Sequence, residues 1–264
     1  MDALFAGIDV GSSAAKAVLT DETGRIAGTG VAPTGIRFEE AAERAMEEAA
    51  AEAGAQRSDI VQTVACGYGR RNIAFADSVK TEIACLALGA HRCFEGPLLT
   101  LDIGGRDIKA ICVDTDGNVG NFKLNTRCAA GTGAFLEDMA LRLRTPLKEM
   151  NALAEAADAS APIGAHCTVF AAGEVLAAAR KGIRIENIVL GIYESMAKRV
   201  VEMITTEEKT VVTGGVAAHN SVIRPLLASM LNREIHSPPA PQLVGALGAS
   251  LFAIRRLHSK RSNL

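Results

Sequence analysis

The chain has 264 residues, 48% of them hydrophobic and 22% charged, with a formal net charge of −2. That supplies enough apolar material for one large or two modest globular units, and the near balance of charge excludes a broad basic surface for nucleic acid or anionic lipid. No run approaches the ~20 apolar residues of a membrane span, and the first residues, with Asp2 and no long apolar stretch, lack a secretory signal; a cytoplasmic protein is expected, with neither nucleic acid nor membrane as partner.

Residues 4–10 read as an apolar strand, followed by a Gly turn, a second strand at 14–19, a turn rich in Asp, Thr and Gly at 21–24, and a third strand. The Ala- and Glu-rich stretch 38–53 predicts a helix, 61–66 a strand and 82–93 another helix. The pattern then restarts: strand 98–103, Gly turn, strand 108–113, turn 114–118, third strand. Helices follow at 132–144, 169–181 and 185–204, a strand at 210–213, and two closing helices at 221–231 and 242–257.

The restart is a sequence repeat. The segment GIDVGSSAAKAVLTDETGRI at 7–26 reappears as DIGGRDIKAICVDTDGNV at 102–119, ungapped at an offset of 93, which pairs Asp9 with Asp102, Gly11 with Gly104, Lys16 with Lys109, Asp21 with Asp114 and Gly24 with Gly117. Such self-similarity marks two halves descended from one unit. It predicts an α/β protein of two similar lobes around a central cleft, a first lobe at 1–96 to which a C-terminal helix near 241–257 returns, and a second at 97–240. With no low-complexity linker between them, hinged closure is expected.

Each copy places an Asp and glycines between its first two strands: Asp9, Gly11, Ser12 and Ser13, then Asp102, Gly104 and Gly105. Glycine lets backbone N–H groups approach phosphate oxygens, the serine hydroxyls can bond them, and the Asp can hold a magnesium ion or its water. Two such loops would clamp a triphosphate. Neither is a P-loop or a dinucleotide fingerprint. A third cluster, Thr213-Gly214-Gly215-Val216-Ala217, follows a strand and suits a backbone surface against which a nucleoside lies.

DVGSSAAK, DIGG and TGGVA, in this order and spacing, resemble the superfamily of actin, hexokinase and the heat-shock ATPases, whose fold is ribonuclease H-like, and the small residues at 245–249 fit its second hinge helix. The resemblance implies that Asp9 and Asp102 organise magnesium and the attacking water, that Lys16 joins the first phosphate loop, and that Gly214 and Gly215 contact the nucleoside. Glu82 stands where the superfamily often has an acid beside the metal; a helix-start carboxylate favoured by the macrodipole fits it equally well.

Six cysteines stand at 66, 85, 93, 112, 128 and 167, with no CxxC pair and no disulfide framework. Cys66, Cys85, Cys93 and Cys112 lie within apolar patterns and read as buried small hydrophobes. Cys128, ahead of Gly131-Thr132-Gly133, and Cys167 each directly precede a helical run, where unpaired N–H groups favour an anionic sulfur. A 4Fe-4S cluster takes four cysteines, and a twofold dimer of this chain would supply them. Two unrelated free cysteines satisfy the same chemistry.

CAAGTGAF, HCTVFA, CGYGR at 66–70 and TEIAC at 81–85 closely resemble the ATP-dependent activators of 2-hydroxyacyl-CoA dehydratases and the related ATPase subunits of benzoyl-CoA reductase, over essentially the whole chain. The resemblance implies that Cys128 and Cys167 ligate one 4Fe-4S cluster shared between two subunits, with Gly131, Thr132 and Gly133 among the cofactor-binding residues. Two features depart from the family pattern. Arg106 stands in GGRD where the activators usually read GGQD, and Phe170-Ala171-Ala172-Gly173-Glu174 is less polar than is common there.

The expectation is therefore a homodimeric ATPase binding ATP or ADP, Mg2+ and one shared 4Fe-4S cluster. It would take an electron from a ferredoxin or flavodoxin and pass it at low potential to a dehydratase-type partner, and its reduced form would be oxygen-sensitive. Its rivals are an ATPase subunit of a benzoyl-CoA reductase-type complex, a small-molecule kinase such as an amino-sugar kinase, and an actin-like filament protein.

Overall fold

Strand β1 (Leu4–Val10) sends alternate side chains to opposite faces. Leu4, Ala6, Ile8 and Val10 pack with Ala41, Ala42, Ala45, Met46 and Ala49 of helix α1 (Phe38–Ala53). Phe5 joins the core on the other face, with Cys85 and Leu88 of α2 (Glu82–Cys93) and Ala246, Leu247 and Ala249 of α9 (Val244–Arg261). Asp9, two pleats on from Phe5, therefore points to the α2 and α9 side of the sheet. The computed structural model describes residues 3–126, 128–164, 167–206 and 208–261.

The sheet built on β1 runs β3-β2-β1-β4-β5. Strands β2 (Ala14–Thr20) and β3 (Ile26–Pro33) extend it antiparallel, while β4 (Ile60–Cys66) and β5 (Ser78–Val79) pair parallel. Its backbone comes so close to the helices above that a Cβ on Gly7 would collide with the Ala246 carbonyl, and α2 and α9 cross where a Cβ on Gly248 would collide with the Cys85 carbonyl.

The second sheet repeats the plan. It holds β6 (Leu98–Ile103), β7 (Ile108–Val113), β8 (Val119–Asn125), β9 (Thr210–Thr213) and β10 (Ile235–His236). Read as β8-β7-β6-β9-β10, its order matches the first strand for strand. Between β8 and β9 lie α3 (Gly133–Leu143), α4 (Leu147–Glu155), α5 (Thr168–Arg180) and α6 (Ile185–Val201); α7 (Gly214–His219) and α8 (Ile223–Leu231) follow β9.

By contact density the chain divides into one unit of Met1–Leu98, Ile111–Asn121 and Gln242–Leu264 and a second of Leu99–Ala110 and Phe122–Pro241. Two helices have no counterpart among the predicted elements. α4 is short and buries only Met150 and Ala154, too few positions to set a period; α7 opens on Gly214 and Gly215, the weakest helix formers after proline. Among the described residues no helix is long and apolar enough to cross a membrane.

Candidate functional site

The two Gly-rich hairpins are the same object built twice. In the first, Gly11 N–H donates to the Ala14 carbonyl at 3.0 Å; in the second, Gly104 N–H donates to the Asp107 carbonyl at 2.9 Å. Farther along, Gly24 N–H reaches the Asp21 carbonyl at 3.0 Å and Gly117 N–H reaches that of Asp114 at 3.2 Å. The carboxylates repeat as well: Asp21 Oδ1 accepts from Thr23 and Arg25 N–H, and Asp114 Oδ1 from Asp116 and Asn118 N–H. Those bonds, led by the Thr23 hydroxyl, hold Asp21 down to about 2, and the Asn118 N–H foremost lowers Asp114.

In the first unit Asp9 is 6% exposed at the end of β1, and Lys16 Nζ donates to its Oδ2 at 3.0 Å from the facing register position. Asp9 Oδ1 is buried with no hydrogen-bond partner. Beside it Gly67, at φ +86, has no room for a side chain: a Cβ there would collide with Oδ1 and the Val10 carbonyl. An orphaned carboxylate oxygen under a bare glycine fits a hydrated divalent cation. Ser12 and Ser13 are exposed at the turn. Glu82 opens α2 behind the Thr81 cap, and its charge, with that of Asp9, reaches Cys66. The neighbouring Cys85 thiol foremost, then burial and those two charges, push the Cys66 thiol well up, so it stays protonated.

In the second unit Asp102 is likewise 6% exposed, and Lys109, 5% exposed, bridges its Oδ2 at 3.2 Å and Asp107 Oδ1 at 2.8 Å. Thr213 Oγ1 donates to Asp102 Oδ1 at 3.1 Å. The turn is held against the start of α3: Gly133 N–H donates to the Gly104 carbonyl at 3.0 Å and Ala134 N–H to that of Gly105 at 2.8 Å. The structure thus joins Gly104 and Gly105 to Gly133 and Ala134, while Thr132, fully buried, donates through Oγ1 to the Ala129 carbonyl at 2.7 Å. Gly214, at φ +92, ends β9 against the Ile103 backbone. Arg106 is exposed at the tip of the turn.

Cys128 and Cys167 both fall in the second unit, half-buried and uncrosslinked. Cys167 is the N-cap of α5; Cys128 lies four residues before Thr132, the N-cap of α3. Lys198 and Arg199 of α6 share a pocket with Ala130 and Gly131 of the Cys128 loop. Val169 and Phe170, two and three residues after Cys167, are 72% and 71% exposed.

Residues 6–253 match the model of the BadF/BadG/BcrA/BcrD ATPase family. The chain belongs to this family. It is an ATP-hydrolysing enzyme, and its duplicated α/β arrangement is the actin-like fold. The ATPase is 40% identical over 257 residues to the activator of lactoyl-CoA dehydratase of Anaerotignum propionicum, covering 96% of this chain and 98% of that protein. It is 30% identical over 273 residues to one of the subunits of benzoyl-CoA reductase from Thauera aromatica, covering 99% and 96%. The solved activator of the 2-hydroxyisocaproyl-CoA dehydratase from Clostridium difficile, with bound ADPNP, superposes with a TM-score of 0.91 at 35% identity, over 100% of this chain and 98% of that one.

Three residues join the candidate site beyond those the sequence points to: Lys109 and Thr213, bonded to Asp102, and Gly67, packed on Asp9. Lys109 was within reach, since the offset of 93 pairs it with Lys16. A second offset, of 147, carries the other two. It aligns Thr63-Val64-Ala65-Cys66-Gly67 with Thr210-Val211-Val212-Thr213-Gly214, and both strands lie parallel to their Asp-bearing neighbour with Cys66 opposite Asp9 and Thr213 opposite Asp102.

Proposed function

We propose that this ATPase is a homodimeric reductive activator that uses ATP hydrolysis to deliver a low-potential electron to a 2-hydroxyacyl-CoA dehydratase-type partner. The observation that carries the reading is the pairing of two uncrosslinked cysteines, Cys167 capping α5 and Cys128 in the loop that leads into α3, with the second Gly turn bonded to the start of α3. The name of the relative in Anaerotignum propionicum supports the partner class.

Two thiols per chain fit half the donor set of a 4Fe-4S cluster, and a symmetric dimer completes it. Such a cluster would supply the one-electron chemistry. The α5 N–H groups beside Cys167 favour an anionic group there, and Lys198 lines a pocket with Ala130 and Gly131 of the Cys128 loop, where Arg199 is paired with Glu202. Exposed Val169 and Phe170 give the α5 start the apolar surface of an interface.

Within the nucleotide site, Gly11, Gly104 and Gly105 leave the backbone open to phosphate, Ser12 and Ser13 add hydroxyls, and Lys16 and Lys109 bring positive charge while holding the two carboxylates in place. Asp9 organises Mg2+ and Asp102 the attacking water, with Glu82 near Asp9; Gly214 and Gly215 present bare backbone to the nucleoside. Six cysteines without a disulfide suit a cytoplasmic protein fed by a ferredoxin or flavodoxin.

The test is anaerobic purification followed by iron, sulfide and oligomer counts, ATP turnover, and reduction of an added dehydratase. About four irons per dimer, with ATP-dependent reduction, is the expected result. An iron-free chain that phosphorylates a small molecule would overturn it. Similarity to the benzoyl-CoA reductase component of Thauera aromatica favours a second reading, a subunit of a larger reductase; a stable homodimer holding one cluster excludes that assembly.

A further inference from the structure

The two repeated carboxylates, Asp9 and Asp102, differ at one oxygen. Both oxygens of Asp102 are occupied by the protein, Oδ2 by Lys109 Nζ at 3.2 Å and Oδ1 by Thr213 Oγ1 at 3.1 Å. Asp9 Oδ2 receives Lys16 Nζ at 3.0 Å, but its Oδ1 is buried without a partner. The difference traces to the residue opposite each carboxylate. Cys66 faces Asp9 across β1 and β4 as Thr213 faces Asp102 across β6 and β9. Parallel partners put their side chains on the same face of the sheet, so a hydroxyl at 66 would lie within reach of Asp9 as Thr213 does of Asp102. Cys66 instead offers a thiol, a weak donor, and turns it to the Gly245 carbonyl at 3.6 Å. The next residue, Gly67, has no side chain to cover the oxygen.

We propose that Cys66, aided by Gly67, keeps Asp9 Oδ1 free of protein donors, so that this oxygen, and neither oxygen of Asp102, receives the hydrated divalent cation that accompanies the nucleotide. Cys66 is thereby a positioning residue that sets cation affinity, and the two carboxylates of the repeat divide their work: Asp9 takes the cation and Asp102 is held rigid by Lys109 and Thr213. A buried acceptor without a protein donor costs free energy unless a ligand meets it, which is the expected signature of an atom reserved for a ligand. The inference rests on the nucleotide-binding reading above.

The experiment titrates Mn2+, read by its electron paramagnetic resonance signal, into the full chain saturated with ADPNP. Cys66→Thr supplies the missing hydroxyl; its bond to Oδ1 competes with the cation and weakens Mn2+ binding about five-fold, the equivalent of one ordinary hydrogen bond. Cys66→Ser weakens it in the same direction and stands in if the threonine variant does not fold, as judged by its melting curve. Cys66→Ala adds no donor and keeps the wild-type Mn2+ affinity. ADPNP affinity measured without metal is the same in all of these variants, and Asp9→Asn loses more Mn2+ binding than Asp102→Asn. The proposal is overturned if the hydroxyl variants bind Mn2+ as tightly as wild type, if Cys66→Ala weakens binding as much as they do, or if Asp102→Asn is the more damaging change. A wild-type chain that takes up no ADPNP at all sinks the nucleotide reading itself, and with it this one.

Discussion

Lys16 with Asp9 and Lys109 with Asp102 are ion pairs in surroundings that exclude most water, where desolvation offsets much of the Coulomb attraction. Stability alone is weak grounds for keeping one such pair, and this chain keeps two at equivalent positions. The proposed nucleotide site supplies the reason: each lysine holds a carboxylate in one rotamer while adding positive charge beside a Gly turn proposed to take phosphate. Asp102→Asn keeps the side-chain shape, and Asp107 still pairs with Lys109 at 2.8 Å. The variant is expected to fold and bind ADPNP but to turn over ATP roughly a hundred-fold more slowly, because a neutral amide orients the attacking water poorly. Turnover at the wild-type rate, measured by phosphate release, would remove Asp102 from the catalytic set.

At the scale of elements, the Asp21 and Asp114 turns show how much local structure a single carboxylate can hold. Asp21 is depressed from 3.8 to about 2 by its bonds to Thr23 and Arg25. A depressed carboxylate stabilises the fold above its unfolded value and loses that contribution as pH falls through the folded one. The gap in melting temperature between wild type and Asp21→Ala should therefore be full at pH 5 and largely closed by pH 2; a gap independent of pH would mean that the turn does not depend on the charge. Helix α7, which begins with Gly214 and Gly215, has its own anchor. The buried Tyr193 hydroxyl donates to Asn220 Oδ1 at 2.5 Å, and Asn220 Nδ2 donates to the Val216 carbonyl at 2.9 Å. Tyr193→Phe leaves Asn220 Oδ1 without that donor and should cost about 2 kcal/mol. It should also weaken ADPNP binding, since α7 carries the two glycines. Chemical denaturation and nucleotide titration check the two effects separately; an unchanged midpoint would show that water replaces the hydroxyl.

For the whole molecule, the decisive variants are Cys128→Ser and Cys167→Ser. Serine is a poor iron ligand, and each change removes two of four donors from a symmetric dimer. Both should abolish stable iron binding and partner reduction while ADPNP binding persists, because Asp9, Lys16, Asp102 and Lys109 belong to other segments. Full iron content with normal partner reduction in either variant would refute the shared-cluster model. The duplicated architecture was legible in the sequence because each hairpin is local: strand period, Gly turn and Asx turn are all specified within about twenty residues, so the copies at 9–26 and 102–119 align without gaps. The helix starts after Cys128 and at Cys167 were legible for the same reason. What lay beyond the sequence reading is where distant segments meet. Nothing near Asp9 in the chain announces that Cys66 will pair with it, or that Gly245 will take the Cys66 thiol; parallel pairing and the return of α9 decide both. The bonding of Gly133 and Ala134 to the Gly104-Gly105 turn is likewise a tertiary fact. The sequence by itself determined that two carboxylates would stand at two Gly turns. Only the folded sheets decided that one has both oxygens satisfied and the other has one left bare, because hydrogen-bond satisfaction in a parallel sheet depends on the register partner, and that partner lies more than fifty residues from Asp9 and more than a hundred from Asp102.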